Sequence, residues 1–102
     1  MRKIINGLAY DTELAERVWR HTNKYPTTDF HHEEEILFKT KGGRWFIQYA
    51  GGALSQYSKR LDSNSYTGSS GIRTLTEDEA REWLEERANS EIYEKYFEVQ
   101  EA

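Results

Sequence analysis

His31-His32-Glu33-Glu34-Glu35 combines the side-chain types of a metal site. On extended backbone, adjacent side chains point to opposite faces, so His31 and His32 cannot easily share one ion. The only other histidine is His21. The run reads as the polar start of a strand, and no metal site is expected. A serine triad brings Ser, His and a carboxylate together, in many hydrolases on a Gly-x-Ser-x-Gly elbow. The chain has no such elbow, and most of its serines lie between Asp62 and Gly71. Paired carboxylates are plentiful after Thr76, but on an exposed helix nothing raises a carboxyl pKa toward acid–base work. The expectation is a protein that is not an enzyme and needs no cofactor.

Gly51-Gly52-Ala53-Leu54-Ser55-Gln56-Tyr57-Ser58 carries a different signal. Consecutive glycines let backbone approach a neighbour closely and leave amides open. Phosphate cradles of this kind open a helix and carry a lysine. Neither feature is present, so a bulge or tight turn in an antiparallel sheet is expected. Around it, Ile36 to Arg60 holds Lys39, Lys41, Arg44, Lys59 and Arg60 and no acid, interleaved with Trp45, Phe46, Tyr49 and Tyr57. Basic residues with exposed rings stack single-stranded nucleic acid. In a chain this poor in aliphatics, the same rings are needed for the core. Arg44, Gly51, Gly52, Ser55 and Tyr57 therefore form a secondary candidate surface.

The primary candidate is acidic. Glu77, Asp78, Glu79, Glu82, Glu85, Glu86 and Glu91 fall along roughly 20 Å of helix at 1.5 Å per residue. Duplex DNA carries one charge per about 1.7 Å of axis. Such a face can occupy a Lys/Arg groove that otherwise holds nucleic acid. The commonplace reading of the same acids is help to the helix dipole and solubility. The net charge of −4 hides the asymmetry: residues 1–60 sum to +3 and residues 61–102 to −7. That division suggests one basic and one acidic end.

These residues need elements to hold them. Ile4-Ile5-Asn6-Gly7-Leu8-Ala9-Tyr10 reads as a hairpin, because both residues of an Asn-Gly turn accept positive φ. Leu14, Ala15, Val18 and Trp19 form one apolar stripe at helical spacing, with Asp11 or Thr12 as N-cap, so a helix is expected there. Tyr25-Pro26 ends it. Glu34–Thr40 and Arg44–Ala50 flank Lys41-Gly42-Gly43 as a second hairpin. Alternation puts Trp45, Ile47 and Tyr49 on one face and Arg44, Phe46 and Gln48 on the other. Residues 62–71 read as a flexible polar loop, and Ile72–Leu75 as a third main strand. Thr76-Glu77-Asp78-Glu79 is a capping box. Ala80, Trp83, Leu84 and Ala88 then mark the buried face of a helix. Asn89-Ser90 interrupts it, and Ile92, Tyr93, Tyr96 and Phe97 mark a short last one. The order implies one α+β domain over 1–102: an antiparallel sheet of about three main strands plus a short N-terminal hairpin, packed with two to three helices.

Composition narrows the class further. The chain has 102 residues, no cysteine, one proline and 14 aromatic rings. Without cysteine there is no disulfide framework, thiolate metal site or cysteine nucleophile. Apolar runs of three or four residues cannot span a membrane. The basic start at Met1-Arg2-Lys3 lacks the apolar stretch of a signal peptide. A reducing, cytoplasmic setting is the expectation, and the absence of an Asn-x-Ser/Thr acceptor agrees.

Three blocks together carry a resemblance: Asn6-Gly7-Leu8-Ala9-Tyr10-Asp11-Thr12-Glu13-Leu14-Ala15-Glu16; Leu37-Phe38-Lys39-Thr40-Lys41-Gly42-Gly43-Arg44-Trp45-Phe46 with Gly51-Gly52-Ala53-Leu54-Ser55-Gln56-Tyr57; and Leu75-Thr76-Glu77-Asp78-Glu79-Ala80-Arg81-Glu82-Trp83-Leu84. The chain resembles a family of small proteins encoded by phages and mobile elements of bacteria, some of which act as anti-CRISPR inhibitors. The resemblance runs over roughly residues 4–98 and rests on turn, core and capping residues. It brings no catalytic signature and implies inhibition by binding. The partner it implies is a CRISPR-Cas effector protein, Cascade-type or Cas9-type, in the cytoplasm of a bacterial host. The alternative is a nucleic-acid-binding accessory or regulatory protein using 39–60. A small intracellular enzyme is a third, weaker reading.

Overall fold

Asn6 and Gly7 adopt φ of 52° and 77°, the left-handed geometry that a tight hairpin turn needs. They join β1 (Arg2–Ile5) to β2 (Leu8–Asp11), which pair antiparallel with Ile5 opposite Leu8. The computed structural model describes all residues from Met1 to Ala102.

The next segment departs from the sequence reading. Residues 16–22 form a strand, β3 (Glu16–Thr22), and not a helix. The capping signal at Asp11 is present but governs one turn only: the Ala15 amide donates to the Asp11 carbonyl at 3.0 Å, and the Glu13 amide to Asp11 Oδ1 at 2.9 Å. The chain then extends. Its register against the next strand shifts between Arg17 and Trp19, leaving Val18 as a bulged residue. A bulge inserts one residue and sends two neighbouring side chains toward the same face. Val18 and Trp19 both pack on one core cluster for this reason, which imitates the helical spacing. Leu14, part of the expected stripe, is 59% exposed.

β4 (Glu33–Lys39) and β5 (Trp45–Gly51) form the central hairpin, with Phe38 opposite Phe46 and Leu37 opposite Ile47. Gly43 at φ 85° makes the turn. β6 (Lys59–Arg60) and β7 (Tyr66–Thr67) form a small separate hairpin, and β8 (Ser69–Leu75) pairs antiparallel with β5. The loop expected over 62–71 is thus narrower, because 66–67 and 69–71 lie in strands. The main sheet has four antiparallel strands in the order β3-β4-β5-β8. The fold is α+β, with one more main strand than the sequence suggested.

Two helices complete it. Thr76 caps α1 (Glu77–Arg87): its side chain accepts from the Glu79 amide at 3.1 Å, and Glu79 Oε1 accepts from the Thr76 amide at 2.9 Å. Asn89 caps α2 (Ser90–Tyr96) by accepting from the Ile92 amide at 2.9 Å. Thr76→Ala removes one half of the capping box. It is expected to cost about 1 kcal/mol, seen as a lower urea midpoint with an unchanged slope.

Strand alternation divides the core between the two faces of the sheet. On one face, Val18, Leu37, Trp45 and Ile47 meet Ala80, Trp83, Leu84 and Phe97 of the helical segment. On the other, Phe38, Phe46 and Ile72 meet Tyr10 of the N-terminal hairpin. Half of the 12 buried apolar residues are aromatic. Phe38 and Phe46 stack at 5.0 Å, and Trp45 stacks on Phe97 at 5.4 Å. Large rings, each burying about 150–250 Å², do the work that aliphatics do elsewhere. Of the rings expected inside, Trp83 and Phe97 are buried, while Trp19 and Tyr96 are partly so.

Candidate functional site

With 3.6 residues per turn, burying Ala80, Trp83 and Leu84 of α1 turns Asp78, Glu82 and Glu85 directly away from the sheet. Glu77, Glu79 and Glu86 flank that line. All six are exposed, as is Glu91 on the first turn of α2. The local partners are few. Arg81 stands 3.9 Å from Glu77 and 3.8 Å from Asp78, both exposed contacts, and such pairs are weak. Glu86 meets Arg87 at 3.2 Å, and Glu85 accepts from the Tyr93 hydroxyl at 3.1 Å. The Thr76 amide holds the Glu79 carboxyl below its ordinary pKa. Glu82 and Glu91 have no hydrogen-bond or ion-pair partner in the chain. The face is therefore net anionic: seven acids against Arg81 and Arg87, with only weak, exposed contacts between them.

What orients this face is a residue that sequence reasoning missed. Glu35 is the one buried charged residue, 5% exposed. Its Oε1 accepts from Trp83 Nε1 at 2.9 Å and lies 3.2 Å from Arg87 Nε, while its Oε2 accepts from the Tyr57 hydroxyl. Arg87 also lies over the Trp83 ring, 5.1 Å from its centroid. One carboxylate thus ties β4 to α1 and to the loop after β5. Glu35 shares a strand face with Leu37, which is the signal alternation offered; its place within a run of three glutamates concealed it.

The secondary surface comes together only in part. Gly51, Gly52, Ser55 and Tyr57 gather at one end of β5, while Arg44 sits at the other, about 23 Å away at 3.3 Å per residue. A Cβ on Gly52 would lie 2.4 Å from the Phe30 carbonyl oxygen, and one on Gly51 would lie 2.2 Å from Ser55 Oγ. The glycines serve close internal packing. The amides of Gly52, Leu54, Ser55, Gln56 and Tyr57 donate to His32 O, Phe30 O, Gly52 O, Glu33 Oε1 and Ser55 Oγ respectively. A loop whose amides are engaged in this way has little left for an anion. Tyr57 is stacked on Tyr49 at 4.5 Å, and Trp45 and Phe46 are buried. His31 and His32 turn to different partners, Asp29 at 3.0 Å and the Tyr25 carbonyl at 2.8 Å.

Arg44 joins Arg2 and Lys41 along a groove of about 380 Å³ between the N-terminal hairpin and the Gly42 turn. On its other side, Arg44 shares a cleft with Glu77 and Glu79. The expected basic and acidic ends are therefore not opposite ends of the molecule. The α1 N-terminus begins beside the basic turn, because β8 runs antiparallel to β5 and delivers Thr76 next to Arg44. Comparisons with known protein families, with curated proteins and with solved structures find no match to this chain.

A second tether crosses the molecule. The Tyr96 hydroxyl of α2 donates to Glu16 of β3. Burial, and then the Glu16 carboxylate, push the Tyr96 pKa up to about 12. Burial and Glu35 raise that of Tyr57 in the same way. A group that holds its proton more tightly when folded stabilises the fold below its unfolded pKa, about 10 for tyrosine. The stability these two tyrosines contribute is thus expected to be level up to about pH 10 and to be lost as pH rises toward 12. Urea midpoints across that range, with tyrosinate absorbance followed in parallel, measure it.

Proposed function

We propose that this chain is an anti-CRISPR-type inhibitor that binds a CRISPR-Cas effector protein and hinders target DNA binding through the acidic face of α1. The supporting observation is the line of exposed carboxylates opposite the buried face of α1, Asp78, Glu82 and Glu85, of which Glu82 has no partner in the chain and the others one weak, exposed contact each. Six acids between Glu77 and Glu86 span about 14 Å of helix axis, one per about 2.3 Å, against one charge per about 1.7 Å in duplex DNA. Effectors hold nucleic acid in a positively charged channel and read the PAM with basic side chains. A rigid acidic helix competes for such a surface, and the Glu35 anchor supplies the rigidity. The resemblance carried by the three sequence blocks points the same way.

The alternative, direct nucleic-acid binding by 39–60, has the basic groove at Arg2, Lys41 and Arg44 in its favour. Against it, the rings that would stack bases are buried or stacked on each other. A pull-down from a host carrying candidate CRISPR systems, followed by identification of the captured protein, tests the proposal. Capture of a Cascade or Cas9-type effector is the expected result. A mobility shift of DNA or RNA by the protein alone at physiological salt would favour the alternative.

A further inference from the structure

The main sheet ends in two unpaired edges, β3 and β8, and they are treated differently. Proteins protect open edges with bulges and charges. β3 has both: the bulge at Val18, and Arg17 and Arg20 along its length. β8 has no bulge and only Arg73 by way of charge. Its seven residues, Ser69-Ser70-Gly71-Ile72-Arg73-Thr74-Leu75, keep unbroken register with β5 and carry one charge.

Which of its peptide groups face outward follows from the hairpin. The Thr40 amide donates to Arg44 O at 2.8 Å, and the Gly52 amide to His32 O at 2.9 Å. Hydrogen bonding alternates along an antiparallel pair. The even-numbered residues 46–50 therefore bond β4, and Trp45, Ile47, Tyr49 and Gly51 bond Leu75, Arg73, Gly71 and Ser69. The peptide groups of Ser70, Ile72 and Thr74 are left pointing away from the sheet. None of the backbone hydrogen bonds outside the ladders and helices ends on them.

We infer that this edge pairs with β8 of a second copy, antiparallel about Ile72. In that register Ile72 faces Ile72 of the second copy and Ser70 faces its Thr74, so every outward donor meets an outward acceptor. Arg73 falls opposite glycine, Gly71 of the second copy, and no like charges oppose each other. Shifting the register to centre on Arg73 would set two arginines face to face, which is unfavourable. The two-fold axis stands perpendicular to the sheet. The two four-stranded sheets become one of eight, with both α1 helices on the same face. This inference is independent of what the acidic face binds.

The test is sedimentation equilibrium of the full chain across the micromolar range. A monomer–dimer equilibrium is expected. Ser70→Lys with Thr74→Lys, both at exposed positions, sets lysine against lysine and should weaken the dimer by about tenfold or more, with unchanged circular dichroism. The chain has no cysteine, so the register can be tested directly. Ser70→Cys with Thr74→Cys should give a disulfide-linked dimer, since facing residues lie about 5.5 Å apart. Ser70→Cys alone should not, because the two copies of that position lie about 13 Å apart along the strands. A monomer at all concentrations, or a dimer indifferent to the paired lysines, would overturn the inference. Efficient cross-linking of the single-cysteine variant would overturn the register.

Discussion

Glu35→Ala is expected to lower the unfolding free energy by about 3 kcal/mol. The substitution leaves Trp83 Nε1 without its acceptor and the Tyr57 hydroxyl without a partner, and leaves Arg87 with only the exposed Glu86 carboxylate. Removing a buried acceptor costs more than its hydrogen bonds contribute, because the Trp83 Nε1 and Tyr57 hydroxyl donors it served stay desolvated. In a domain of this size each kcal/mol moves Tm by about 4–8 °C, so a fall of about 12–24 °C is expected. Glu35→Gln keeps an acceptor at nearly the same position and should recover part of the loss. Thermal and urea unfolding of the three proteins measure this. A fall of less than about 1 kcal/mol for Glu35→Ala would mean that the carboxylate is incidental to the packing of α1. Since Glu35 also positions α1, the same variant should bind any partner of the acidic face less well than Glu35→Gln does.

Combined Glu82→Lys, Glu85→Lys and Glu86→Lys is expected to abolish the proposed inhibition while leaving the fold intact. The change moves the net charge from −4 to +2 and alters only exposed positions. Exposed substitutions shift stability by about 0.5 kcal/mol or less each. Here the losses are the contacts of Glu85 with Tyr93 and of Glu86 with Arg87. Against a basic surface, each reversal replaces an attraction with a repulsion of about 1 kcal/mol. Three together should weaken binding by about 100-fold or more. Wild-type binding should also weaken steeply with added salt. Affinity for the captured effector, measured at two salt concentrations, reads both effects. If inhibition persists, the acidic face is not the site. If it is lost only on changing Arg44, Lys59 or Arg60, the site lies on the basic segment.

Much of the fold was legible because short-range signals decide it. Asn6-Gly7, Gly43 and Thr76-x-x-Glu79 each specify a backbone geometry within four residues, and each appears as expected. The aromatic surplus implied a ring-built core, and alternation along Trp45–Tyr49 assigned the rings to the correct faces. The segment around Val18 shows where local pattern fails. Its apolar spacing fits a helix and a bulged strand equally well. The choice was made by β4, whose free edge offers a full ladder of hydrogen bonds to an extended chain and none to a helix.

The candidate site divides along the same line. The sequence by itself determined the acidic helix, its cap and its exposed carboxylates, because helical periodicity and capping act within α1. Only the tertiary structure decided that Glu35, 48 residues before Trp83, anchors that helix. It also separated Arg44 from Gly51 and Tyr57, and it placed the acidic helix beside the basic turn. Those facts depend on strand order and register. Order and register arise from burying both faces of one sheet at once, a condition that no short stretch of sequence contains.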